Sequence, residues 1–166
     1  MERLQQYDVV VVGGGTAGVS AAVGAAKTGA KTLLIERNAY LGGEATNSGV
    51  SAFCGFYTCG ENPVRVVEGV GRLVLNEMEA LGPTVDYVIS ATGNRNINFQ
   101  PEYLKCAMDN LLEKERVDYL LHTSVIGADT ENGTITAIHC VDDEGTFTVA
   151  AKAFVDASGD ANLARL

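Results

Sequence analysis

Three glycines, Gly13, Gly15 and Gly18, fall in the order G-x-G-x-x-G, and an acid, Glu36, follows downstream. A chain without side chains at such positions turns tightly and lets an anion come against its N–H groups. If a helix begins there, its first turn offers unpaired N–H donors and the positive end of the helix dipole. Thr16 and Ala17, between the second and third glycines, would stand in that turn. A carboxylate ending the next strand accepts hydrogen bonds from ribose hydroxyls. The chemistry implied is the holding of a ribose-linked pyrophosphate, not bond-making. No Ser-His-Asp set is visible, and no Cys/His grouping has metal-ligand spacing, so neither a catalytic residue nor a metal site is assigned.

The elements that must position these groups are legible around them. Val9 to Val12 is an unbroken β-branched run, as expected of a strand buried on both faces. Val19, Ala22, Val23 and Ala26 then share one helical face, with Gly29 as the C′ residue. Thr32 to Ile35 is a second apolar strand that ends at Glu36. This is a complete β-α-β unit. Within it Gly13 makes the tight turn, Gly15 admits the pyrophosphate and Gly18 lets helix and strand pack closely. A strand before the motif, a helix after it and a terminal acid make the signal specific.

With 166 residues, 46% of them hydrophobic, the chain is expected to form a single domain over 1–166. Twelve basic against 21 acidic residues give a net charge of −9, which excludes nucleic acid and anionic membrane as expected partners. No cationic segment precedes the first apolar run, and that run is too short to span a bilayer, so a cytoplasmic protein is expected. Cys54, Cys59, Cys106 and Cys140 are scattered, which fits reduced thiols.

After the β-α-β unit comes NAYLGGEATNSG, Asn38 to Gly49. An Glu-Arg pair, a short spacer, then LGG with small hydroxyl residues after it resembles the flavoproteins of the glutathione-reductase-like group. More narrowly it resembles the family called FAD-dependent oxidoreductases. The resemblance implies that Gly42, Gly43 and Thr46 lie along the pyrophosphate and ribityl chain of FAD, and that Arg37 packs near adenine; on its own, Arg37 could equally be a solvated side chain or a reader of an NADP 2′-phosphate. Near the other end, VDASGDANLA resembles the family's second FAD motif with Ser158 in place of threonine. By that resemblance Ser158 and Gly159 approach the adenosine and pyrophosphate side, and Val125 meets adenine through its backbone. Cys54 and Cys59 have the spacing of a flavin disulfide pair but stand well downstream of Gly43, so they are expected to be buried and inert.

Between these motifs, Val64 to Leu81 carries helical periodicity weakened by Gly69 and Gly71 and stopped at Gly82-Pro83. TVDYVIS, Thr84 to Ser90, has strand character, and ATGNRNIN reads as a polar turn region. Pro101 suits the first position of a helix running to Lys114, and Val117 to His122 reads as the next buried strand. His122 and His139 sit in strand patterns and are expected to be structural. From about 124 to 152 short alternating strands, turning at Asn132-Gly133 and Asp143 to Gly145, form a three-stranded antiparallel meander. Ala153 to Ala157 returns as a parallel strand. A meander in place of a helical crossover favours FAD over a plain nicotinamide-binding domain.

The expected fold is therefore α/β, a Rossmann-like parallel sheet with helices on one face and a β-meander crossover. The expected function is the FAD-binding portion of a flavin-dependent oxidoreductase. Members of the family resembled run on for hundreds of residues, so the substrate domain is expected to be absent from this chain. A second polypeptide, or self-association, would then complete the enzyme. A NAD(P)-binding domain and a non-catalytic flavoprotein fragment are the alternatives.

Overall fold

The computed structural model describes residues 4–82 and 85–166. In chain order its elements are β1 (Leu4–Val12), α1 (Thr16–Lys27), β2 (Thr32–Ile35), α2 (Glu44–Asn47), β3 (Ala52–Phe53), α3 (Val70–Leu81) and β4 (Val85–Ile89). There follow β5 (Arg95–Phe99), α4 (Pro101–Lys114), β6 (Asp118–Leu120), β7 (Ser124–Glu131), β8 (Thr134–Asp142) and β9 (Gly145–Asp156). They group into two compact units, Met1–Leu41 with Leu112–Leu166, and Gly42–Leu111.

The first unit is built on a six-stranded sheet of order β6-β2-β1-β9-β8-β7. β1 pairs in parallel with β2 and with β9, β2 pairs in parallel with β6, and β7, β8 and β9 run antiparallel. The β-branched run of β1 is buried on both faces, as its composition predicts. Val11 and Leu34 are fully buried, and α1, whose Val19, Ala22 and Val23 are fully buried, packs against β1 and β2. The alternate residues Val10, Val12, Leu33 and Ile35 join Ile138, Cys140, Phe147, Val149 and Leu163 in one apolar cluster. The meander thus closes the core that the β-α-β strands open. Its first turn has Asn132 and Gly133 both at positive φ, 50° and 77°, as a two-residue primed hairpin requires.

β9 differs from expectation in one respect. The third meander strand and the returning parallel strand are a single twelve-residue strand. Its first half pairs with β8, from Ala137↔Ala150 to Asp142↔Gly145, and its length from Thr148 to Asp156 pairs with β1. One strand serves both neighbours because its two edges are independent hydrogen-bonding rows. β1 correspondingly begins at Leu4, earlier than the polar lead-in suggested, because residues 4–7 find partners in 148–151 of β9.

The second unit holds a three-stranded antiparallel sheet, β3-β5-β4, with α2, α3 and most of α4. Phe53 stacks on Phe99 at 4.5 Å between ring centroids, and Val74, Leu75 and Met78 of α3 are buried. The helix begins only at Val70; Gly69, at φ 66°, holds the N-cap position, and 64–69 lie outside the helix. β4 falls where TVDYVIS predicts a strand, whereas the end of the polar stretch 91–98 is strand β5, not turn. Its apolar Ile97 is fully buried, and β4 and β3 supply partners on both edges. The stop expected at Gly82-Pro83 and the residue Thr84 involve positions 83 and 84, outside the described residues. Among the described residues no helix is long and apolar enough to cross a membrane.

Candidate functional site

At the carboxyl ends of β1 and β2 the first unit has an open cleft of about 450 Å³. The size suits a small ligand. Among its lining residues are Val12, Gly13, Glu36, Arg37, Val125 and Ser158. Their meeting follows from the topology: β1, β2 and β9 run parallel, so the segments leaving them emerge at one edge of the sheet.

Gly13, at φ 105°, receives the chain from β1, and its N–H donates to Ile35 O at 2.8 Å. A side chain there would collide with the Ala157 carbonyl and, at 2.8 Å, with Ser158 Cα. At Gly18 a Cβ would run into the Gly13 carbonyl oxygen, so this glycine lets α1 sit directly against the loop that precedes it. Gly15 is the N-cap of α1 and supplies no side-chain cap. Thr16 and Ala17 lie exposed in the first turn, where N–H groups have no partner further back in the helix.

Glu36 is buried, with 6% exposure. Its Oε2 accepts the Gly14 N–H at 2.6 Å, and its Oε1 accepts both the backbone N–H and the side-chain amide of Asn38, at 2.8 and 2.7 Å. The carboxylate thereby ties the glycine loop to the end of β2. The backbone of residue 36 is held as well, since Glu36 N–H donates to Leu120 O and Thr123 N–H donates to Glu36 O. Arg37 is exposed on the cleft wall. Val125 enters from β7, where it pairs with Cys140 just before an irregularity in the register.

The segment after β9 is organised by a residue the sequence reading passed over. Asp156 Oδ1 accepts the Ser158 N–H and hydroxyl at 3.0 and 2.6 Å, while Oδ2 accepts the Ala164 N–H at 2.9 Å. Burial pushes this carboxyl up. Hydrogen bonds from the Ser158 hydroxyl and from the N–H groups of Ala164, Ser158 and Leu163 outweigh it and hold the group below the usual carboxylate range. The Ser158 oxygen in turn accepts the Asn162 N–H at 2.8 Å. Its hydroxyl is thus part of a knot closing 156–164. An aspartate two residues before a serine in D-A-S is the signal that could have pointed to it. Asn162, Arg165, Thr123 and Ser124 also line the cleft and were not singled out from the sequence. Gly159 is exposed beside them.

Gly42, Gly43 and Thr46 belong to the second unit. Gly43 is the N-cap of the four-residue α2, and the Thr46 hydroxyl donates to Gly43 O at 3.3 Å. Cys54 and Cys59 are exposed, contrary to the buried thiols expected; Cys59 Sγ lies 2.9 Å from Asn94 Oδ1. They stand in a turn-rich stretch with only the two-residue β3 beside it, so no core forms over them. His139 bridges Asp129 and Thr148 on the meander, at 2.9 and 3.2 Å, away from the residues lining the cleft. Among the described residues no group of three or more His, Cys, Asp or Glu could hold a metal ion.

The family model for FAD dependent oxidoreductases matches residues 8–166. A digeranylgeranylglycerophospholipid reductase of Methanospirillum hungatei is 30% identical over 125 residues, 75% of this chain and 26% of that protein. A glutathione reductase of Yarrowia lipolytica is 53% identical over 49 residues, 30% of this chain and 10% of its own length. Among solved structures, a geranylgeranyl bacteriochlorophyll reductase-like protein from Thermoplasma acidophilum superposes with a TM-score of 0.64 at 22% identity, covering 94% of this chain and 40% of that one. The chain therefore spans well under half the length of these relatives. It belongs to the FAD-dependent oxidoreductase family, whose cofactor is FAD.

Proposed function

We propose that this chain is the ADP-binding portion of a flavin-dependent oxidoreductase. The observation that carries the reading is the convergence of Gly13, Glu36, Arg37, Val125 and Ser158 on one cleft. The first turn of α1, through Gly15, Thr16, Ala17 and Gly18, would receive the pyrophosphate on its N–H groups. Glu36 would accept from the ribose, Val125 would meet adenine with its backbone, and Arg37 would cover it. Ser158 and Gly159, held by Asp156, would border the pyrophosphate side.

When bound, FAD would supply two-electron exchange with a substrate through its flavin ring. The residues here bind and orient; none is assigned to the redox step, which in this proposal draws on residues beyond those matched. A second polypeptide would supply them. Four free thiols fit a reducing, cytoplasmic setting.

The test is calorimetric titration of the chain with FAD, ADP and 2′-phospho-ADP. FAD and ADP should bind with similar affinity and the 2′-phosphorylated form should not, because Glu36 would face the extra phosphate. Preference for the 2′-phosphorylated form would make the cleft an NADP site.

A further inference from the structure

The Glu36 carboxylate is already heavily engaged. A carboxylate offers about four lone-pair positions across its two oxygens. Oε1 accepts two donors from Asn38, and Oε2 accepts one from Gly14. Oε1 is therefore full, and a single position remains on Oε2. The side chain has little room to reorganise: the residue is 6% exposed, and its Cβ and Cγ lie where a side chain on Gly14 would stand. Asn38 is fixed from its other side too, since its carbonyl accepts the His122 N–H at 3.1 Å.

Resting on the ADP-binding reading above, we infer that Glu36 accepts only one ribose hydroxyl, at Oε2, and that Asn38 is the positioning residue that closes Oε1 to the other. A ribose presents two neighbouring hydroxyls, and an unencumbered carboxylate can take both. Here the pair is read asymmetrically. Three donors already converge on the carboxylate, so a second sugar hydroxyl would have to displace the Asn38 amide without adding a hydrogen bond. Removing that amide leaves the backbone N–H of residue 38 in place and frees one position on Oε1.

The experiment is calorimetric titration of the chain, wild type and Asn38→Ala, with ADP, 2′-deoxy-ADP and 3′-deoxy-ADP. In the wild type one deoxy analogue should bind at least about tenfold more weakly than ADP, the loss expected for one hydrogen bond to a charged acceptor. The other should stay within about threefold. In Asn38→Ala both analogues should be weakened relative to ADP, a change of selectivity that general loosening of the loop would not produce. If both analogues already bind tenfold more weakly to the wild type, the closure of Oε1 is wrong while the ADP reading stands. If the asymmetry persists in Asn38→Ala, Asn38 has no such role. If ADP binds and neither analogue is weakened, Glu36 does not read the ribose. Failure of ADP itself to bind overturns the reading of the cleft, and this inference with it.

Discussion

Replacing Glu36 by alanine removes the acceptor of three hydrogen bonds at once, and its two consequences separate in size and in assay. The Gly14 N–H is buried, so losing its 2.6 Å partner leaves an orphaned donor. Such a group costs about 1–3 kcal/mol of fold stability. The two Asn38 donors are only partly buried and can turn to water, so they add little. The expected loss is therefore about 2 kcal/mol, read from urea denaturation. Binding should fall by the value of one hydrogen bond to a charged group, ~1.5–3 kcal/mol, or about 10- to 150-fold in the Kd for ADP. Glu36→Gln keeps the volume but has one oxygen for donors on two sides. Its amide must face either Gly14 or Asn38, so it should recover only part of each loss. A Glu36→Ala protein that loses stability yet binds ADP within twofold of wild type would show that the carboxylate only braces the glycine loop.

Three further outcomes follow from other parts of the molecule. Gly18→Ala places a methyl group against the Gly13 carbonyl oxygen, and overpacking of this kind should cost ~1–3 kcal/mol, a fall in Tm of about 2–12 °C; an unchanged Tm would mean that α1 can move off the loop freely. Burial, with the charge of Asp142 behind it, pushes the Cys140 thiol up to about 12, while Cys54, Cys59 and Cys106 are exposed. An aromatic disulfide reagent at pH 8 should therefore titrate three thiols in the native protein and a fourth only after unfolding, and four rapid reactions would refute the burial. Asp156, held below the usual carboxylate range in the fold, contributes stability that is present above its unfolded value of about 3.9 and is lost as pH falls through the lower folded one. Asp156→Asn should flatten that acid limb of the urea-stability profile, and an identical limb in the variant would remove Asp156 from it.

How much could be read before the structure depended on whether the relevant interactions were local. The β-α-β unit was legible because each of its signals lies within a few residues: the Val9–Val12 run, the helical face of Val19, Ala22 and Val23, and Gly29 after the helix. The Asn132-Gly133 turn was equally local, and so was the Pro101 start of α4. The extent of β1 was not, since Gln5 and Gln6 become strand through pairing with Val149 and Ala150, far along the chain. Nor was β5, where a polar NRNIN stretch is recruited by strands on both edges. At the cleft, Gly13 and Glu36 announced themselves by spacing, as did Gly18 behind Gly13. Asn38 and Asp156 did not, because each acts on a neighbour's atoms and not on a ligand in any recognisable motif. Thr123 and Arg165 reach the cleft only through the fold.

The measurement to make first is the absorption spectrum of the purified chain, with any released cofactor identified after denaturation. A yellow protein releasing FAD, or a colourless one that retains added FAD through gel filtration or is yellow with a larger co-purifying chain, is the outcome expected of an ADP-binding portion of a flavoenzyme. A protein that stays colourless under all three conditions would mean that this chain holds no flavin, and the oxidoreductase reading would be withdrawn.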